Sequence, residues 1–177
     1  MNCSNSQNDP APGCVVWLTG LPASGKTTIA RCLQAQLRER GMRPALLDSD
    51  QLRDILTPEA TYELSDRDRF YEALAQLAAM FAEQGVQVII AATANRRRYR
   101  QAARERVTKF CEVFVDCPLE VCRQRDPKGL YAESDDTGSL PGVGAAYEAP
   151  EHPELTVHSD RETAEESAGR VADFLLQ

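Results

Sequence analysis

One glycine-rich segment constrains the possible folds of this chain most strongly: Gly20-Leu21-Pro22-Ala23-Ser24-Gly25-Lys26-Thr27, followed by Thr28. It comes after the apolar run 14–19 (CVVWLT) and opens a helical pattern over 26–40. Glycines let successive backbone N–H groups point at one anion, and the N-terminus of a helix strengthens that attraction. The segment fits the phosphate-loop pattern G-x-x-x-x-G-K-[ST], in which Lys26 reaches the β- and γ-phosphates and the Thr27 hydroxyl holds Mg²⁺. These residues therefore predict a site for a nucleoside triphosphate with Mg²⁺.

Short apolar runs alternate with helical patterns along the rest of the chain. Strands are predicted at 14–19, 44–48, 86–92 and 110–116, with 153–157 as a candidate fifth. Helices are predicted at 26–40, 51–56, 66–84, 96–108, 118–125 and 161–176. Apolar strands that alternate with helices are typical of a parallel sheet buried on both faces. With a phosphate loop after the first strand, they predict an α/β, three-layer P-loop NTPase fold with a mostly parallel sheet and helices on both faces.

Two segments break this alternation. Residues 1–13 are polar and contain two prolines, which predicts a flexible N-terminal tail before a single domain over 14–177. Residues 126–150 are rich in Gly, Pro, Asp and Ser. A loop of this length within a compact domain is usually functional or disordered, and beside a nucleotide site it would act as a lid. We call residues 126–150 the lid segment.

Composition and charge exclude several function classes. The chain has 177 residues, 42% of them hydrophobic, as in one globular domain. Twenty Lys and Arg against 27 Asp and Glu give a net charge of −7, which disfavours nucleic acids and anionic membranes as partners. No run approaches the ~20 apolar residues of a membrane span, and the N-terminus lacks signal-peptide regions, which predicts a cytoplasmic location. The six cysteines form no C-x-x-C pair, so a zinc site lacks its usual ligand spacing.

Two carboxylates follow the second predicted strand. A regulatory GTPase would need a guanine-reading N-K-x-D motif, which the sequence does not contain. Asp48-Ser49-Asp50 instead places carboxylates at the carboxyl edge of the sheet, where doubly wound folds bind ligands. A carboxylate there can accept the proton of an alcohol while the phosphate loop holds the γ-phosphate. Asp48 is therefore predicted as a base or an Mg²⁺ ligand, and Asp50 as a second catalytic carboxylate or the N-cap of the 51–56 helix.

Four segments together resemble a known family. GLPASGKTT (20–28), LLDSDQLRD (46–54), EVFVDCPLEVCRQRDPKGLY (112–131) and YEAPEHPEL (147–155) are similar to adenylylsulfate kinase sequences. That family uses ATP to phosphorylate the 3′-hydroxyl of adenosine 5′-phosphosulfate (APS). The last two segments are far more specific than a phosphate loop alone. The resemblance implies a kinase that uses ATP and Mg²⁺, acts on a small molecule and forms a homodimer.

The resemblance also implies roles for individual residues. Asp48 matches the catalytic carboxylate, and Arg53 and Arg69 match two arginines that bind the substrate. Two guanidinium groups suit the doubly charged phosphosulfate. Lys128 would lie in the lid segment that closes over the phosphates, and Arg125 would lie near ATP.

The acceptor side departs from the family pattern. The family brackets the substrate adenine between two phenylalanines, which Leu64 and Leu140 match here. Stacking of a base on an aromatic ring contributes roughly 1–3 kcal/mol, so the loss of two rings is a large change. The family asparagine three residues after the second arginine is matched by Glu72, a carboxylate that could neutralise Arg69.

The family sequence ISPYR is replaced by 93–97 (TANRR), which opens the basic segment 93–100 (TANRRRYR). Asn95 is predicted to cap the next helix and to lie on the acceptor side of the site. The basic run 96–98 has two interpretations that stay open, as the solvated start of a helix or as an anion clamp on the acceptor.

Three functions are consistent with these patterns. The first is an APS kinase with an unusual acceptor pocket. The second is a paralogous kinase that phosphorylates a hydroxyl of another small molecule, such as a nucleoside, a sugar or a biosynthetic intermediate. The third is a nucleotide sensor without turnover, against which Lys26, Thr27 and Asp48 argue, because a pure binder needs no carboxylate at the acceptor.

Overall fold

The computed structural model describes residues 11–57, 63–132 and 140–177. Its five strands are β1 (Cys14–Thr19), β2 (Ala45–Asp48), β3 (Val88–Ala91), β4 (Lys109–Asp116) and β5 (Leu155–His158). They form one sheet in the order β2-β3-β1-β4-β5, and every neighbouring pair is parallel. The predicted parallel sheet is confirmed, including its fifth strand.

Helices cover both faces of the sheet. They are α1 (Lys26–Glu39), α2 (Ser49–Leu56), α3 (Leu64–Glu83), α4 (Arg97–Arg104), α5 (Leu119–Arg125) and α6 (Ala164–Leu175). Side chains alternate between the two faces along each strand. In β1, Val15 and Trp17 join a core with α3 and α4, whereas Val16 and Leu18 join a core with α1 and α6. The three-layer α/β fold predicted from the sequence is confirmed.

The strand order places a crevice beside β1. Strands β1 and β3 are neighbours, yet the helix that follows β1 packs on one face and the helix that follows β3 packs on the other. The segments that follow β1 and β3 turn towards opposite faces of the sheet, so a crevice opens between them at the carboxyl ends of these strands. Folds of this kind bind ligands in that crevice. The phosphate loop and Asp48 both lie at this edge of the sheet.

Three details of the helices differ from the sequence predictions. Ser65 and Asp68 have the spacing of a capping box but do not form one: α3 begins at Leu64 after the N-cap Glu63, and Asp68 accepts a 2.6 Å hydrogen bond from the Tyr99 hydroxyl. The capping box that the structure does contain joins Thr163 and Glu166 at the start of α6. Helix α4 is also shorter than the predicted span 96–108.

Five cysteines lie in the described residues, and none of these five is in a disulfide. Burial raises the pKa of Cys111 and of Cys122 to about 12. Thiols with such pKa values stay protonated near neutral pH and are poor nucleophiles. Of the helices over 11–57, 63–132 and 140–177, none is long and apolar enough to span a membrane. Residues 1–10 of the predicted tail and 133–139 of the lid segment lie outside the described residues.

Candidate active site

The phosphate loop turns sharply between β1 and α1. Ala23 and Gly25 have positive φ angles of 59° and 96°. A Cβ at Gly20 would lie 2.5 Å from the carbonyl oxygen of Val115, so only glycine fits there. In this described loop, no side chain caps the first turn of α1 and that turn carries no acidic residue. The uncapped N–H groups at this helix terminus therefore attract an anion.

Lys26 lies folded into the phosphate loop. Its ammonium donates hydrogen bonds to the carbonyl oxygens of Gly20 and Leu21, at 3.1 and 2.7 Å. Burial lowers the pKa of Lys26 to about 8, although Asp50 and Asp48 nearby favour the charged form. A partly buried ammonium that donates to carbonyl oxygens gains strongly from an anion, and a nucleotide phosphate would provide one.

Asp48 joins the loop to the end of β2. Its Oδ2 accepts a hydrogen bond from the Thr27 hydroxyl at 2.8 Å, and its Oδ1 accepts one from the Asp50 N–H at 2.9 Å. Asp48, and not Asp50, is therefore the N-cap of α2. Its exposed fraction is 5%, which leaves one buried carboxylate at the edge of the crevice.

Thr27 and Asp48 suit a magnesium ion. Hydroxyl and carboxylate oxygens are hard ligands, and Mg²⁺ usually takes one or two protein ligands together with waters and substrate phosphates. Within the part of the chain that the structure describes, no three His, Cys, Asp or Glu side chains cluster to hold a metal by themselves. The donor set thus fits an ion that arrives with a nucleotide.

A cavity of about 1340 Å³ extends from the loop across the carboxyl edge of the sheet. Most of the residues predicted from the sequence line it. They are Pro22, Ala23, Gly25, Lys26, Thr27, Thr28, Asp48, Asp50, Arg53, Asn95, Arg125, Lys128 and Leu140. Gly20, Leu21 and Ser24 belong to the phosphate loop but are not among the described residues that line the cavity.

Three predicted acceptor residues on α3 are not brought to the cavity. Arg69 is exposed, Leu64 is 48% exposed, and Glu72 forms a 2.6 Å ion pair with Arg106 instead of neutralising Arg69. None of these three is among the described residues that line the cavity. Arg67 lines it instead and is only 8% exposed. Residues two positions apart in a helix are rotated by about 200° about its axis, so the side chains of Arg67 and Arg69 point in nearly opposite directions.

A shift of two residues reconciles the family pattern with this geometry. With the second arginine at Arg67, the family phenylalanine five residues earlier matches Tyr62, and the asparagine three residues later matches Phe70. Tyr62 lies outside the described residues. Phe70 is fully buried, in the core that α3 makes with the sheet. Glu72 therefore does not place a carboxylate beside the acceptor, contrary to the sequence prediction.

The first part of the lid segment is tied to the phosphate loop. Tyr131 donates a hydrogen bond from its hydroxyl to the carbonyl oxygen of Pro22 at 2.9 Å. Lys128 forms an ion pair with Asp50 across the cavity. Arg125 donates to the backbone oxygen of Ser159 at 2.6 Å. The described part of the lid segment thus contacts both the loop and the start of α2.

The segment 95–98 at the start of α4 contacts the end of the lid segment and helix α3. Asn95 does not cap α4; its side chain donates to the carbonyl oxygen of Ala146 at 3.0 Å. Arg97 pairs with Glu151 at 2.8 Å. Arg98 pairs with Asp68. Arg97 and Arg98 are exposed at the start of α4 and are not among the described residues that line the cavity, which agrees with the interpretation of a solvated helix start and not with that of an anion clamp.

Two aromatic residues, one in the cavity lining and one at the end of β1, were not predicted. Tyr71 is buried yet lines the cavity beside Arg67, and its hydroxyl accepts a hydrogen bond from the Ala94 N–H at 3.0 Å. Tyr147 lies 3.1 Å from the hydroxyl of Thr19, and burial raises its pKa to about 12. The helical period of α3 could have identified Tyr71, because it lies one turn after Arg67.

Comparisons with known proteins agree on one family. Residues 12–158 match the sequence model of the family described as adenylylsulphate kinase. The adenylyl-sulfate kinase of Halothermothrix orenii is 38% identical over 165 residues, which cover 92% of this chain and 89% of the relative. That of Saccharomyces cerevisiae is 37% identical over 170 residues, which cover 93% and 84%.

Solved structures give the same result. The Mycobacterium tuberculosis APS kinase CysC, in complex with AMPPNP and APS, superposes with a TM-score of 0.88 at 34% identity. The match covers 95% of this chain and 100% of that one. A sugar kinase from Janibacter superposes with a TM-score of 0.67 at 23% identity, which is a likeness of fold alone.

Proposed function

The chain belongs to the adenylylsulphate kinase family, and from that membership we propose that it transfers the γ-phosphoryl group of ATP to the 3′-hydroxyl of APS. The observation that carries the proposal is the position of Asp48. This buried carboxylate lies 2.8 Å from Thr27 on the phosphate loop and lines the same cavity as Arg53 and Arg67. One cavity therefore holds a phosphate cradle, a proton acceptor and two cations for an anionic acceptor.

The transfer needs little covalent participation by the protein. Backbone N–H groups of the phosphate loop and the Lys26 ammonium stabilise the charge on the transferring γ-phosphoryl group. Thr27 and Asp48 would hold Mg²⁺, which when bound offsets the charge of the β- and γ-phosphates. The acceptor oxygen forms the new bond to phosphorus as the bond to the bridging oxygen of ADP breaks, and Asp48 takes the hydroxyl proton.

The acceptor side is arranged to bind an anion. Arg53 on α2 lines the cavity together with Arg67 and Tyr71 on α3. We assign to these two guanidinium groups the phosphosulfate of APS, because planar fork-like donors pair well with phosphoryl and sulfuryl oxygens. Lys128 and Arg125 line the side of the cavity formed by α5 and the lid segment. Their place suits the nucleotide and its phosphates, while the lid segment limits the access of water.

Leu140 favours the alternative acceptor. It lines the cavity at a position where the family pattern has a phenylalanine against adenine. A leucine keeps an apolar wall but offers no π-face to a base. If APS is not the acceptor, a hydroxyl of another anionic small molecule fits the same pair of arginines.

The assembly is inferred from the family resemblance, and the location from the sequence pattern. We propose a homodimer in the cytoplasm. Light scattering coupled to gel filtration tests the assembly, since a dimer doubles the monomer mass. A mass equal to that of one chain would contradict it.

The experiment that tests the function is ADP release with MgATP, compared between APS and a panel of nucleosides and sugars. We expect APS-dependent ADP release and a product that carries one added phosphoryl group at the 3′ position, identified by mass and fragmentation. Turnover with another alcohol and none with APS would establish the alternative. ATP binding without ADP release on any acceptor would contradict both.

A further inference from the structure

A buried aromatic side chain lies directly beneath one of the two cavity arginines. The guanidinium carbon of Arg53, Cζ, is 4.1 Å from the ring centroid of Phe70 and 5.6 Å from that of Tyr71. An aromatic face attracts a guanidinium within about 6 Å, most strongly where water is excluded. We propose that Phe70 is a positioning residue for the acceptor: its ring holds the Arg53 guanidinium where the anionic group of the acceptor binds.

Helix α2, which carries Arg53, is not buried in the core. All eight residues of α2 are described, and none of them is buried. Asp48 holds the first turn of the helix as its N-cap, whereas Arg53 lies in the last turn. Leu52 packs against the core as a partly buried residue. The contact with the Phe70 ring therefore anchors the end of α2 that its cap does not reach.

The ring of Phe70 belongs to a fixed platform. It meets the ring of Tyr71 edge to face, with centroids 5.3 Å apart. Tyr71 stacks on Tyr99 at 4.5 Å and accepts a hydrogen bond from the Ala94 N–H. A cation placed on such a platform loses little further freedom when an anion binds, which strengthens binding.

A contact with an aromatic face also uses no N–H donor. The guanidinium forms hydrogen bonds through N–H groups in its own plane, and a phenylalanine ring offers no oxygen or nitrogen acceptor for them. Phe70 can therefore orient Arg53 without competing for the donors that an oxyanion needs. By the two-residue shift, Phe70 takes the position of the family asparagine, so this arrangement distinguishes the present chain. The inference rests on the proposed function, because it describes how that acceptor site is organised.

Phe70→Leu tests the role, because leucine keeps an apolar core residue and removes the π-face. Phe110→Leu is a matched control, since the Phe110 ring lies 4.7 Å from Cζ of Arg104 and is not part of the cavity lining described here. We expect Phe70→Leu to raise KM for APS about 3- to 30-fold, with kcat and the Kd of ATP little changed. Phe110→Leu should lower the unfolding temperature and leave KM for APS unchanged.

A double-mutant cycle with Arg53→Ala separates positioning from packing. If the ring acts through the guanidinium, Phe70→Leu has no further effect on KM once Arg53 is alanine. Additive effects in the double variant, or an unchanged KM in Phe70→Leu, would overturn the inference.

A second replacement covers the case in which Phe70→Leu does not fold. Fluorinated phenylalanines at position 70 keep the shape of the ring and weaken its face, so KM should rise with each added fluorine. A KM that is unchanged along the series would overturn the inference. A wild-type chain that does not phosphorylate APS refutes the proposed function and this inference with it. Turnover of APS with no response to changes at Phe70 refutes the positioning role alone.

Discussion

The hydroxyl of Thr27 donates a hydrogen bond to Oδ2 of Asp48 across 2.8 Å, which joins the first turn of α1 to the end of β2. The other carboxylate oxygen of Asp48 accepts the Asp50 N–H at 2.9 Å. A carboxylate held at both oxygens keeps one orientation. The residue that would take the acceptor's proton is therefore placed by the same contacts that place the phosphate loop.

Asp48→Asn tests this placement. The asparagine oxygen can still cap α2, whereas an amide cannot accept the hydroxyl proton. We expect the single-turnover rate to fall about 10²- to 10⁴-fold, the contribution typical of a general base, with the Kd of ATP nearly unchanged. Rapid-quench measurement of product gives the rate, and calorimetric titration gives the Kd.

Asp50→Asn is the matched control for that variant. The carboxylate of Asp50 is 60% exposed and pairs with Lys128, so its loss should slow transfer far less than the change at Asp48. Equal losses in the two variants would contradict the assignment of the base to Asp48. Loss of ATP binding in Asp48→Asn would indicate that the main role of the residue is to hold Mg²⁺ or the phosphate loop, and would contradict its assignment as the base.

Arg67 and Arg69 form a second matched pair. Arg67→Ala should raise KM for APS about 10- to 100-fold, because hydrogen bonds to charged groups contribute about 1.5–3 kcal/mol. Arg69→Ala should leave it unchanged, since Arg69 is exposed and outside the described cavity lining. Steady-state kinetics with varied APS at saturating MgATP measures both. A larger effect at Arg69 would restore the assignment made from the sequence and contradict the structure.

This pair shows what the sequence could predict at the site. The phosphate loop was recognisable because it combines fixed residues at fixed spacing with a strand before it and a helix after it. Arg67 was harder, because the segment 65–69 (SDRDR) contains two arginines, each preceded by aspartate. The family arginine can be matched to either of them, and a shift of two residues moves a side chain to the other face of a helix. The apolar pattern of α3 distinguishes the two arginines. Phe70, Leu74 and Ala78 are all buried, and Arg67 shares their face of the helix because it lies three residues before Phe70.

The parallel sheet and the long-range contacts were predictable to different degrees. The parallel sheet follows from apolar strands that alternate with helices, because connections between parallel strands need such crossovers. The hydrogen bonds of Asn95 were not predictable, because its partner Ala146 is 51 residues away in the chain. Sequence patterns report neighbours along one helix or strand, whereas these contacts depend on how distant segments meet.

Lys26 makes ATP binding dependent on pH. Burial lowers its pKa to about 8 in the free protein, and a phosphate beside the ammonium favours the charged form, so binding raises that pKa. Between the two pKa values the complex holds more protons than the free protein. We therefore expect net proton uptake when MgATP binds at about pH 8, and an affinity that falls as the pH rises above that value.

Calorimetric titration in buffers of different ionisation enthalpy measures that uptake. Lys26→Arg is the control. A guanidinium stays protonated throughout this pH range, so the pH-dependent component of ATP binding should be absent in this variant. Proton release on binding, or the same uptake in Lys26→Arg, would contradict the assignment of the titration to Lys26.

Leu140→Phe should improve the acceptor site if APS is the substrate. Leu140 lines the cavity where the family pattern has a ring against adenine. Stacking contributes roughly 1–3 kcal/mol per base, so KM for APS should fall about 5- to 100-fold. Leu64→Phe adds the same ring at a position that is 48% exposed, and should leave KM unchanged. If Leu140→Phe raises KM instead, the site accepts a group for which a leucine wall is the better fit, and the acceptor is an alcohol other than APS.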